Sequence, residues 1–168
     1  MLNVLFTIEK NLPEILKTGE ANGLIKTMYI DSHPPIVERI WMPYGDLRIY
    51  LHRIHPCNES IDALFHPHPW KSAIKILSGT YEMGVGHSAT NEIPKIDCKS
   101  ILPTGSYYEM TEEDGWHYVN PLNGPVISLM ITGERFSRKM PIEPEKKFRE
   151  LTIEEKINLL NQVLILIK

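Results

Sequence analysis

The hydrophobic and polar positions divide the chain into three stretches. Over residues 11–28, Leu12, Ile15 and Leu16 share a helical face, Asn11 is placed to cap and Pro13 falls in the first turn. Gly19 and Gly23 keep this helix short, and Ser32-His-Pro-Pro35 ends it, because prolines remove donors. Residues 1–39 therefore read as an N-terminal helical arm. From Ile40 to Thr132 the pattern is that of strands. Leu47 to His55 alternates, with Leu47, Ile49 and Leu51 on one face. Ala73 to Val85 is rich in β-formers, and Ser78-Gly-Thr80 inside it predicts a hairpin turn. Ile101 to Tyr108 holds a turn at Pro103-Thr-Gly105. Trp116–Asn120 and Val126–Thr132 read as strands joined by a loop, Pro121-Leu-Asn-Gly-Pro125. Short strands at this spacing predict a sandwich or barrel over residues 40–136. In the extension 137–168, Thr152 and Glu155 form a capping-box pattern before a stripe of Ile153, Ile157, Leu160, Leu164 and Ile167. Val163 to Ile167 is apolar on all sides, which predicts burial on the body or in a partner, or a terminal strand. No internal repeat or low-complexity segment interrupts this order.

Length and composition narrow the function classes. The chain has 168 residues, which fits one domain, 1–168. Its net charge of −3 excludes broad electrostatic binding to nucleic acid. Two cysteines, Cys57 and Cys98, are too few for a disulfide framework or a thiolate zinc site. There is no apolar run of roughly 20 residues to span a membrane. The N-terminus lacks a basic leader and reaches Glu9 too early for a signal peptide, so the expected compartment is the cytoplasm. Against this background, seven histidines stand out.

Two of them form Phe65-His-Pro-His-Pro-Trp70. In an extended chain His66 and His68 point to one face, with Cα atoms about 6.5 Å apart. Imidazoles at that spacing can share one ion at nitrogen–metal distances near 2.1 Å. Pro67 and Pro69 lack N–H groups, which places the segment at an edge or rim. Chance alone gives roughly 0.3 such pairs in a chain with this histidine content, so context must carry the assignment. That context is a third histidine, His117, on the short aromatic strand Trp116–Asn120.

With these motifs the chain resembles the cupin superfamily. More narrowly, it resembles an uncharacterised cupin group, through Leu51-His-Arg-Ile54, His66-Pro-His-Pro-Trp70, Gly79-Thr-Tyr-Glu82, His117 and Ile131-Thr-Gly133. The resemblance covers residues 47–136. It implies a mainly β fold, a cupin-like β-jelly-roll barrel, here with an N-terminal helical arm and a C-terminal helix. It also implies a mononuclear metal at the mouth, held by His66, His68 and His117. Several positions depart from the pattern. Ser72 and Ala73 stand where many cupins carry a glutamate ligand, Pro103-Thr-Gly105-Ser-Tyr-Tyr108 lacks the histidine of the second motif, and Lys71 replaces an acidic residue. Glu82 is a candidate fourth ligand, with Glu109 its rival; Glu112-Glu-Asp114 reads as a solvated loop.

Three neutral histidines leave a dication's charge uncompensated, which favours an anionic ligand. This resembles the three-histidine cupin dioxygenases. The expected cofactor is a divalent ion, Fe(II) ahead of Zn, Ni, Mn or Cu. Arg48, Arg53 and Arg39 are candidates for holding a substrate carboxylate. Arg53 is favoured, because strand parity puts it on the face of Leu47, Ile49 and Leu51, where a charge needs a partner. His52 is either a packing residue or a partner to the site, and His33, His55 and His87 read as exposed. Trp70 and Trp116 are expected to pack, and no tyrosine can be chosen from spacing. Motifs for serine hydrolases, phosphate loops and dinucleotide folds are absent. Three readings stand: a metal-binding cupin acting on a small anionic metabolite, a non-catalytic ligand-binding or sensor module, and an interaction protein in which the C-terminal helix makes a homodimer.

Overall fold

The computed structural model describes residues 1–59, 62–90, 92–137 and 148–167. Two helices flank eight strands. They run α1 (Leu2–Ala21), β1 (Lys26–Ile30), β2 (Val37–Tyr44), β3 (Leu47–Ile54), β4 (His66–Pro67), β5 (Trp70–His87), β6 (Cys98–Pro103), β7 (Tyr107–Met110), β8 (Gly115–Arg135) and α2 (Ile153–Leu166). All strand pairs are antiparallel, in the order β1-β2-β3-β8-β5-β6, with β4 added on β8 and β7 on β5.

The ribbon of β5 and β8 organises the molecule. The two strands pair along almost their whole length, from Trp70 opposite Arg135 to His87 opposite Gly115, with register shifts around Ser78. Neither the expected hairpin at residues 78–80 nor the expected loop at 121–125 forms. Both turn signals lie inside continuous strands, as facing irregularities that bend the ribbon without unpairing it. Gly79 has φ +89°, and a Cβ there would come within 2.9 Å of the Pro125 carbonyl oxygen, so only glycine fits. Opposite it, Asn123 and Gly124 also have positive φ. One end of the ribbon carries β3, β2, β1 and β7, and the other carries β4 and β6.

The first group of strands buries both faces. Ile40, Met42, Ile49, Leu51, Leu129 and Ile131 face the helices and meet Leu5, Ile8, Leu12 and Leu16 of α1 and Leu159 and Val163 of α2. Their neighbours Arg39, Trp41, Tyr50, His52, Ser128 and Met130 face the other way, into a cavity.

The helices differ from the sequence reading. α1 starts at Leu2, with its buried stripe beginning at Leu5. Pro13 lies mid-helix on the exposed side, and the Asn11 amide donates to the Thr7 carbonyl instead of capping. The helix start is held from outside, where Glu109 accepts from the N-terminal ammonium (2.7 Å) and from the Leu2 N–H (2.6 Å). Residues 26–30 and 37–39, read as part of an arm, are strand in the main sheet. Their alternation was masked because Glu38 sits on the helix face and Arg39 on the cavity face. α2 has the expected capping box at Thr152 and Glu155. Its buried face is Leu159 and Val163, while Ile153 and Ile157 of the expected stripe are exposed. Among the described residues, no helix is long and apolar enough to cross a membrane.

Candidate metal centre

β4 is only two residues long, and its pairing places His66 directly opposite His117 on β8. His68 follows two residues later, and its ring meets the ring of His117 edge-on at 4.5 Å. The His66 ring lies 5.2 Å from that of His68 and 5.0 Å from that of His117. One potential ligand nitrogen from each of the three lies within 4.8 Å of the others. The His66 Nδ1 is 2.9 Å from the Leu64 carbonyl oxygen. A carbonyl only accepts, so Nδ1 carries a proton, and in the neutral ring Nε2 is the atom able to bind a metal.

The donor set fits a divalent ion. The Nε2 atoms of His68 and His117 approach to 2.7 Å. Two nitrogens on one ion at right angles are about 3 Å apart, given bonds near 2.1 Å. Burial pushes the His68 pKa down to about 3, helped by the nearby His66 and Arg39. Burial, with His68 and His66 beside it, lowers that of His117 well below the ordinary histidine value. Both rings are therefore neutral at physiological pH, the form that binds metal. The Nδ1 of His117 is buried without a hydrogen-bond partner, so no carbonyl or carboxylate fixes that ring from behind.

The cluster opens on a cavity of about 610 Å³. Its wall carries Arg39, Arg48 and Arg135 and, among the described residues, no aspartate or glutamate. Arg48 and Arg135 flank the Trp70 ring at 5.5 and 6.0 Å, and Arg48 also lies 5.7 Å from Trp41. Arg39 lies against the Tyr50 ring and donates from Nε to His52 Nε2 at 2.9 Å. Tyr81 donates to the Tyr108 hydroxyl at 2.8 Å, and the Tyr108 ring lies 6.5 Å from that of His117. Burial raises both tyrosines, so both stay protonated.

Other expected site residues lie elsewhere. Arg53 is on the helix face, where it donates to Glu38 (2.6 Å) and to Asn158 and Gln162 of α2. Parity grouped it correctly with Leu47, Ile49 and Leu51, but that face meets the helices and not the cavity. Glu82 accepts from the Tyr118 hydroxyl at 2.6 Å and from Lys99 at 3.2 Å, away from the three histidines. Gly84 makes this possible, because any side chain there would collide with the Tyr118 ring that lies across it. Glu109 holds the start of α1. His52 and His33 line the cavity, His55 pairs with Glu38, and only His87 is exposed among the expected bystanders. Trp116 packs in the interior against Phe65, whereas Trp70 lines the cavity. Trp41, Tyr81 and Tyr108 were not singled out by sequence; alternation from Arg39 could have found Trp41.

No family model and no curated protein matches the chain. Solved structures do. Hydroxypropylphosphonic acid epoxidase from S. wedmorenis matches with a TM-score of 0.50 at 16% identity, over 64% of this chain and 55% of that one. A structure of iron(II) HppE with substrate matches with a TM-score of 0.49 at 18% identity, over 63% and 55%. The chain thus spans about half the length of these structures. The fold is cupin-like. It is mainly β, with a helix at each end, as the resemblance of the motifs implied.

Proposed function

We propose that His66, His68 and His117 hold one divalent metal ion, and that the chain is a dioxygenase-like oxidoreductase acting on a small anionic metabolite. The convergence of three imidazoles on the wall of a cation-lined cavity carries this reading. Fe(II) is the favoured ion, ahead of zinc, nickel, manganese and copper. The ion would supply Lewis acidity and, as iron, access to dioxygen chemistry. The protein's own groups do the rest. Three ligands from one side leave coordination positions facing the cavity. The arginines draw an anion into it, and the Trp41, Tyr50 and Trp70 rings displace water from its apolar part. Tyr108, hydrogen-bonded to Tyr81, lines the same cavity with its ring 6.5 Å from that of His117. The free Cys57 and Cys98 fit a reducing, cytoplasmic setting.

Metal analysis of protein purified without an affinity tag tests the reading. The expected result is close to one equivalent after loading with Fe(II) or zinc. Less than a tenth of an equivalent overturns it.

A further inference from the structure

Arg39 and Arg53 stand one rung apart on the paired strands β2 and β3, since Arg39 faces His52 and Glu38 faces Arg53. On the helix side, Arg53 meets the Glu38 carboxylate and two amide oxygens. On the cavity side, Arg39 meets His52 and the face of the Tyr50 ring but, among the described residues, no carboxylate. Its Nε–H donates to the His52 Nε2 lone pair, so that ring is neutral and offers no countercharge. Among the described residues, the four N–H bonds on its terminal nitrogens have no hydrogen-bond partner and no carboxylate lines the cavity. A guanidinium does not give up its proton to escape this position. Arg39 is half-buried, and a cation held there without a countercharge is unfavourable. An anion entering the cavity would meet it.

We infer that the cavity's ligand carries a carboxylate and that Arg39 holds it. This rests on reading the cavity as the substrate pocket of the proposed enzyme. Because Nε is committed to His52, only the end-on fork of the two terminal nitrogens is free. That fork matches the two oxygens of a carboxylate with parallel hydrogen bonds. His52 at the edge and Tyr50 against the face fix the plane of the fork. Beyond it the wall is Trp41, Trp70, Ile74 and Met130, so the body attached to the carboxylate is apolar or aromatic. Arg48 and Arg135 add positive potential around Trp70 and reinforce the preference for an anion.

The test uses metal-free full-length protein and two probes of equal shape, 3-phenylpropanoate and the neutral 3-phenylpropanamide, titrated by calorimetry. The carboxylate is expected to bind at least tenfold tighter than the amide, as a charge-assisted pair requires. Arg39→Met abolishes that preference. Arg39→Lys, which keeps the charge without the fork, retains part of it, and Arg53→Met retains all of it. A melting curve gives a second readout without any ligand. Arg53→Met lowers the midpoint of the free protein by stranding Glu38, whereas Arg39→Met, which removes a charge but also the donor to His52, shifts it less. Equal affinity for the two probes overturns the inference, and so does absence of carboxylate binding at millimolar concentration. A preference that survives Arg39→Met overturns it as well. Failure to load metal with an intact carboxylate preference would instead overturn the enzyme reading alone.

Discussion

The two faces of the β2–β3 pair use the same kinds of residue to opposite ends. Facing the helices, every charge is answered: Glu38 takes Arg53 on one oxygen and His55 on the other, and α2 closes over the group with Asn158 and Gln162. Facing the cavity, and among the described residues, Arg39 and His52 form a pair with no carboxylate, and three more imidazoles gather without an acid among them. The difference separates the molecule's stability from its chemistry. Satisfied polar groups lock the sheet to α2. Unanswered ones leave the cavity poised for a cation at the histidines and an anion at Arg39.

The sharpest way to break that division is to truncate one side and measure the other. His66→Ala with His68→Ala should abolish metal uptake and leave the circular dichroism spectrum intact. If the spectrum collapses, the histidines are structural. On the helix side, Leu129→Ala should cost about 2–5 kcal/mol in denaturant unfolding, since Leu129 is fully buried between sheet and helices. Its metal stoichiometry should not change. Glu38→Gln leaves Arg53 without its countercharge and should cost about 3 kcal/mol, again with metal uptake preserved. Loss of metal in that variant would show that the two faces are coupled.

Smaller effects refine the picture. Gly79→Ala places a Cβ against the Pro125 carbonyl at a positive φ and should cost more than about 1 kcal/mol. Thr152→Ala removes the side-chain cap of α2 and should cost about 1 kcal/mol. The same cap makes a pH prediction. Arg149, and then the Thr152 N–H, hold Glu155 down to about 2. A carboxylate depressed on folding stabilises the native state above its ordinary pKa. The contribution fades as pH falls from the ordinary glutamate range towards 2. Urea midpoints measured across that window should drop in the native chain more than in Glu155→Gln.

Much of this was legible in the sequence. The His-x-His spacing, its flanking prolines and a late histidine on an aromatic strand pointed to the cluster that forms. The capping box placed α2. What failed did so for definable reasons. Parity tells which residues share a face but not which face is inside, and β3 buries both, so Arg53 was favoured over Arg39. Turn signals at residues 78–80 and 121–125 were real backbone bends, but because they face each other across one ribbon they kink it and do not end it. Glu82 is a candidate fourth ligand because it lies on the next strand, but its carboxylate accepts from the Tyr118 hydroxyl, whose ring crosses Gly84.

The central claim is that His66, His68 and His117 form one metal site. Zinc or Fe(II) titration of tag-free apoprotein, with the bound ion counted by elemental analysis, tests it most directly. The account predicts a single equivalent in the native chain and none in His117→Ala. Uptake below a tenth of an equivalent in the native chain, or undiminished uptake in His117→Ala, would contradict it.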